Sequence, residues 1–394
     1  MSEWIEYTFA EMLVDGAISY GIVQPGAHVE MDFVPIVRVN NIRDGKIETR
    51  DVLKVASAIE SQYQRTRLYG GELLITVVGT VGECAVVPES LKGWNVARAI
   101  SVARIRPEFD KRFVKYCFKL DDVIFQIYGN TNDTVQPTLN LSLLKRLILK
   151  APPLVEQQAI AFALTCLDDK IDLLHRQNQT LEAMAKTLFR EWFVEGADEY
   201  WETCKVGDLM TVKGGTTPST KEASFWDGAV PWTSPRDLSN QRSIHLFDTN
   251  RKITPLGLAE IGSGLLPKGT VLLSSRAPIG YLAITDLPVA INQGYIAMIC
   301  DDGIPNYYAY LWCKQHMDTI KAAGNGSTFE EISKSSFKAL PFLVPPAEKL
   351  EAFDGVVRSM FGKLRANELQ VRSLEKLRDT LLPKLMSGEV RVGC

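Results

Sequence analysis

With 394 residues, 46% of them hydrophobic and 23% charged, the chain can bury more than one core, and two globular units are the starting expectation. Its seven cysteines are scattered and form no C-x-x-C pair, which argues against a disulfide framework or a thiolate metal site, and no apolar stretch approaches the length a bilayer requires. A formal net charge of -3 gives no overall basic footprint for nucleic acid, and residues 1–150 hold 18 Lys plus Arg against 18 Asp plus Glu. The acidic start, MSEWIEYTFAEM, has no basic segment followed by an apolar run, so a cytoplasmic location is expected.

In chain order, the first 150 residues read as short strands and turns, with LLITVV and AISVARI bounded by Gly or Pro. Pro152-Pro153 then stops the β-rich part, because proline lacks the backbone donor and restricts the residue before it. A long helix follows, and then the whole plan repeats. Trp4 to Leu13 matches Trp201 to Met210, Val34 to Ile42 matches Val230 to Leu238, Gly71 to Gly82 matches Gly269 to Gly280, and Asn132 to Pro153 matches Asn325 to Pro346. The offsets stay between 193 and 198, as expected of a duplicated unit. In the second copy TVLLSS and YIAMI supply strands, and Pro345-Pro346 precedes a second long helix.

The helices carry heptad seams. Ile160, Leu164, Leu167, Ile171, Leu174, Asn178, Leu181, Ala185, Leu188 and Trp192 follow steps of four and three. Phe353, Val357, Met360, Leu364, Asn367, Val371, Leu374, Arg378, Leu381 and Leu385 repeat them 193 residues on. A parallel pairing would place Asn178 against Val371 and Asn367 against Leu174, each lone amide costing about 1–3 kcal/mol. An antiparallel pairing brings Asn178 opposite Asn367 and obeys a two-fold relation between the repeats. Such helices are expected to form a spacer of about 48 Å.

Two similar heads at a fixed separation suit a ligand that repeats along an axis, such as duplex DNA. Four clusters offer base-reading and phosphate-binding groups. Arg38, Asn40, Asn41, Arg43 and Lys46 correspond to Thr233, Ser234, Arg236 and Asp237. Thr76 and Thr80 lie in the turn that matches Ser274, Ser275 and Arg276. Arg98 stands near the place of Asn292 and Gln293. Asn130, Asn132 and Thr134 match Asn325, Ser327 and Thr328. The apolar and Gly/Pro framework is common to both copies while these polar residues differ, as two domains reading different sequences would show.

Catalytic machinery is not evident. GGTTPSTK lacks the second glycine of a phosphate-binding loop, and no amino-methyltransferase Asn-Pro-Pro or Asp-Pro-Pro segment occurs. Asp168-Asp169-Lys170 resembles half of a nuclease carboxylate-lysine set but has no partner acid and reads as surface charge on a helix. The four histidines are isolated, so no metal site is expected.

The whole plan resembles the specificity subunit of Type I restriction-modification systems. The phrases that carry the resemblance are LDDKIDLLHRQNQTLEAMAKTLFREWFV, LRDTLLPKLMSGEVRV, VPWTSPRDL, LPKGTVLLSSRAPIG and INQGYIAM. It implies an α+β chain with two repeated β-rich target-recognition domains, two long antiparallel coiled-coil helices between them and pseudo-two-fold symmetry. The expected boundaries are 1–153 and 197–346 for the domains, 154–196 for the first spacer helix, and 347–394 for the second with its tail. The resemblance implies a non-catalytic subunit whose domains read the halves of a bipartite double-stranded DNA target. Its implied partners are two modification (methyltransferase) subunits and restriction (endonuclease and translocase) subunits, with no membrane. S-adenosylmethionine, ATP and Mg are expected in those partners, and no cofactor in this chain. The rival reading is a two-headed scaffold that spaces two protein or glycan ligands.

Overall fold

The computed structural model describes residues 4–129, 138–239, 241–276, 278–301, 303–324 and 330–392. It comprises two compact units, Met1–Lys170 with Leu374–Cys394, and Ile171–Ser373.

In the first unit an antiparallel sheet runs in the order Leu13–Tyr20, Ile100–Ile105, Leu73–Thr76, Cys84–Val86. The strand Leu73–Thr76 is buried throughout, which explains its unbroken apolar run. Leu73 and Ile75 pack in a cluster with Phe9, Phe113, Ile160, Leu164 and Leu382. Leu74 faces the other way, toward Val37, Leu91 and Val96. A smaller sheet orders Leu53–Ala56, Phe33–Val37 and Asn95–Val96, the last two parallel. Ile5–Thr8 pairs with Ile148–Ala151 at the end of the domain.

The second unit repeats this plan. Its main sheet orders Thr211–Gly214, Tyr295–Ile299, Val271–Ser274 and Leu282–Thr285, and adds His245–Leu246 as a parallel edge. Val271 and Leu273 join Phe189, Tyr308 and Phe353, whereas Leu272 joins Leu238, Leu266 and Ile291. The small sheet orders Arg251–Ile253, Trp226–Thr233 and Ala290–Ile291, again with one parallel pair. Glu202–Lys205 pairs with Pro341–Val344.

The two long helices are Leu154–Arg190 and Ala347–Met386, each beginning directly after a Pro-Pro pair. Pro153 O accepts from Glu156 N and Gln157 N, so the prolines supply the helix start that their missing donors do not disturb. Each helix is divided between the units. Within the second unit they run antiparallel, with Phe189 against Phe353 and Asn178 against Asn367. Asn367 Nδ2 donates to Asn178 Oδ1 at 2.9 Å, so the two seam amides meet. Within the first unit Arg378 Nη1 donates to Asp168 Oδ1 at 3.1 Å.

Every seam residue is buried or half-buried. A second stripe is buried too, with Gln157, Ala161, Asp168 and Phe189 on one helix, Phe193 in the turn Glu191–Glu195 that continues it, and Leu350, Phe361, Glu368, Leu382 and Met386 on the other. A two-helix seam alone leaves that stripe in water; packing against the globular domains covers it. This corrects the surface-charge reading of Asp168, which is only 7% exposed. It accepts from Tyr116 Oη at 2.6 Å and from Arg378, and lies 3.8 Å from Lys115 Nζ. Burial pushes its pKa up, but the Tyr116 bond, the Lys119 and Lys115 charges and the Arg378 bond outweigh burial and hold the carboxyl below its usual range. In the second unit Glu368 plays a related part, accepting from Ile244 N at 2.6 Å and facing His245 Nδ1 at 2.6 Å. Arg365 forks onto Asp286 at 2.6 and 2.8 Å.

Candidate nucleic-acid interface

Each domain gathers its polar loops by the same backbone device. Where the first sheet strand ends, Gly21 presses on the crossover strand so closely that a Cβ there would lie 2.1 Å from Val96 O. Gly215 presses likewise on Ile291 O, at 1.8 Å. Only glycine fits these approaches. Ile22 N then donates to Val96 O, and Thr216 N to Ile291 O.

From there a chain of backbone bonds links three further loops. In the first domain Ala97 N donates to Val37 O, Val77 N to Ala99 O, and Leu139 N to Val77 O. In the second, Asn292 N donates to Thr233 O, Ser275 N to Gly294 O, and Ile332 N to Ser275 O. These bonds align Ala97-Arg98-Ala99 with Asn292-Gln293-Gly294 residue for residue. Arg98 and Gln293 therefore occupy one structural position, which the sequence had related only loosely.

The candidate residues divide into those that build the loops and those that face solvent. Asn41 is 3% exposed; its Oδ1 accepts from Arg38 N and its Nδ2 donates to Arg50 O. Asp237 does the same work in the second domain, its Oδ2 accepting from Ser234 N at 2.7 Å and from Thr233 Oγ1 at 3.0 Å. Arg38 spends Nη2 on Asp51 O. Thr76 and Ser274, both fully buried, staple the next turn: Glu83 N and Tyr281 N donate to their hydroxyls, which donate onward to Thr80 O and Pro278 O. Gly82 and Gly280 complete these turns at φ 90° and 120°, left-handed values that favour glycine.

Base-reading expectations for Asn41, Thr233, Ser274 and Ser275 are accordingly corrected, since all four are buried and hold the loops. Ser275 acts through its backbone, as described above, and Asn292 turns its Oδ1 back to Gly294 N at 2.9 Å. Lys46 is half-buried and lies 3.5 Å from Asp169 of the long helix, which engages its ammonium within the chain. Asn40, Arg43, Thr80, Arg98, Arg236 and Gln293 are exposed. Ser234 and Arg276 are half-buried, and Arg276 stands 3.7 Å from Glu331. Asn130, Asn132, Thr134, Asn325, Ser327 and Thr328 lie outside the described residues.

Two contributors escaped the sequence reading. Tyr295 Oη donates to Ser234 O at 2.7 Å, and burial pushes its hydroxyl well above the usual tyrosine range. Thr217 Oγ1 donates to Gln293 Oε1 at 2.6 Å. Thr217 sits in the phrase that had been weighed only as a failed phosphate loop; the repeated glycine pair Gly21 and Gly215 was the signal that could have found it. Among the described residues no group of three or more His, Cys, Asp or Glu is placed to hold a metal ion, and no helix is long and apolar enough to cross a membrane.

The model of the Type I restriction modification DNA specificity domain matches residues 27–183 and again 198–358. The chain belongs to that family. It carries two DNA specificity domains, and the scaffold reading is not favoured. Among curated relatives, the Type I restriction enzyme MjaIX specificity subunit of Methanocaldococcus jannaschii is 34% identical over 194 residues, 49% of this chain and 45% of that protein. The match thus spans less than half of that relative's length. The Type I restriction enzyme HindI specificity subunit of Haemophilus influenzae is 24% identical over 341 residues, 68% of this chain and 74% of that protein. The crystal structure of the Type I restriction-modification S subunit from M. genitalium shares the fold at a TM-score of 0.61 and 16% identity, covering 98% of this chain and 96% of that one.

Proposed function

We propose that this chain is the non-catalytic sequence-reading subunit of a Type I restriction-modification complex, each domain reading one half of a bipartite DNA target. The observation that carries this is the pair of matched loop platforms, built by identical backbone bonds and ending in different side chains. Asn40, Arg43, Thr80 and Arg98 would serve one half-site, and Arg236, Arg276 and Gln293 the other. The helices would set the unread gap; a helix of 37 residues is about 55 Å long. The domains are taken to end at the Pro-Pro pairs, at residues 153 and 346.

Methylation and cleavage would belong to two modification subunits and to restriction subunits, which would bring S-adenosylmethionine, ATP and Mg. Val155, Phe162, Cys166, Leu173 and Met184 support such docking, because they form an exposed stripe along the first long helix at heptad-like steps. Exchange of residues 197–346 for those of a relative, followed by methylome sequencing of cells that hold the partner subunits, tests the proposal. One half of the methylated motif should change and the other persist. Removal of one heptad from both helices should alter the gap, and an unchanged gap would refute the helices as its ruler.

A further inference from the structure

We infer that Arg98 and Gln293 are the base-discriminating residues of the two domains, Arg98 reading a guanine and Gln293 an adenine. The inference rests on the DNA reading above and deepens it.

The two side chains occupy one position of a rigid turn. On one side of it Ala97 N and Asn292 N are bonded to Val37 O and Thr233 O; on the other, Ala99 O and Gly294 O accept from Val77 N and Ser275 N. The turn therefore lies between two other loops of its domain, those that follow Val37 and Val77 in the first copy and Thr233 and Ser275 in the second. Its flanking side chains are spent or absent: Ala97 and Ala99 have no polar group, and Asn292 bonds to Gly294 N. Arg98 and Gln293 remain, both exposed.

A phosphate presents the same acceptors at every sequence, so a phosphate contact at this place gives no reason for the side chain to change between copies. The exchange of an arginine for a neutral amide on an unchanged backbone points instead to a base edge. Arginine presents donors only and matches the paired acceptors N7 and O6 of guanine. Glutamine presents one acceptor and one donor pair, which match N6 and N7 of adenine. For this the amide must face one way round, and the Thr217 hydroxyl supplies that by bonding to Oε1, leaving its second lone pair and the Nε2 hydrogens outward. Arginine needs no such guide. In the first domain the matching place is Val23, which has no hydroxyl.

The test uses the chain assembled with its modification subunits and a randomised duplex library, from which methylated molecules are sequenced. Q293R should replace one A·T-specified position by G·C in a single half-motif and leave the other half intact; R98Q combined with V23T, which adds the orienting hydroxyl, should do the reverse in the other half. R98A should lose roughly ten- to hundredfold discrimination at one position only. R98K, which keeps the charge but not the fork, should lose the same discrimination with an unchanged salt dependence, and it serves where a bolder variant does not assemble. Motifs unaltered by either exchange would overturn the inference, as would a uniform weakening at all sequences with a shallower salt dependence. If the unaltered complex selects no sequence at all, the DNA reading falls first and this assignment with it.

Discussion

In the first domain Thr76 and Asn41 tie off the turns that Ser274 and Asp237 tie off in the second, whereas Thr80, Arg98 and Asn40 at the tips give way to Pro278, Gln293 and Arg236. The Thr76 and Ser274 turns need a group that both accepts and donates, so a hydroxyl stands in for a hydroxyl, while the Asn41 and Asp237 turns share the need for an acceptor, so a carboxylate stands in for an amide. A tip meets whatever the ligand presents, and its chemistry is free to change. The attachment of each domain to the helices differs more deeply. Both pack apolar side chains on the helices, but the first adds a buried ionic cluster around Asp168, whereas the second adds an aromatic group of Phe189, Phe193, Tyr308 and Phe353 together with Glu368 and His245.

The largest expected effect strikes at that second contrast. Asp168→Asn leaves the buried Lys115 without its ion-pair partner and Arg378 with Asp379 alone, and should cost about 3 kcal/mol in urea unfolding of the first unit. Glu368→Gln should cost less, because the amide still accepts from Ile244 N and faces one partner instead of several. Equal losses would remove the distinction between the two attachments.

Next comes the helix pair. Asn367→Val should cost about 1–3 kcal/mol by stranding Asn178, and adding Asn178→Val should recover most of it, since apolar partners replace both amides. Asn367 Oδ1 is buried with no hydrogen-bond partner among the described residues, which favours recovery. A double variant no more stable than the single would refute this account. Asn41→Ala and Asp237→Ala should each cost about 1 kcal/mol, in the range of a lost cap, and by similar amounts in thermal melts. A clear inequality would show that the two turns are not built alike.

The mildest effect is on pH dependence. Asp168 and, through its Arg365 and Lys268 partners, Asp286 take up protons below the ordinary value of 3.8 in the folded chain. Between that value and the depressed folded ones the unfolded chain binds more protons, so their stabilisation is full above it and is lost as the pH falls through the folded values. Acid titration of Asp168→Asn should show a shallower loss of stability in this window, and an unchanged slope would count against the cluster.

Much of this was legible from residue order. Repetition of Gly, Pro and apolar blocks gave away two like domains, and uninterrupted steps of four and three located the helices and the facing amides. The division of the polar candidates was not legible, because Ser274 and Thr80 are alike as residue types and differ only in whether their hydroxyl points into a turn or out of it. Nor was the burial of Asp168, whose partners Tyr116 and Arg378 are distant in the chain. Thr217 was passed over because its partner Gln293 lies in another loop.

The sequence by itself determined the duplication, the helix period and the absence of a basic excess, since each is a property of neighbours or of repeats along the chain. Tertiary structure alone decided which polar groups are consumed in holding a loop and which are left facing outward. Hydrogen bonds between segments far apart in the chain satisfy buried donors and acceptors, and no local pattern records that pairing.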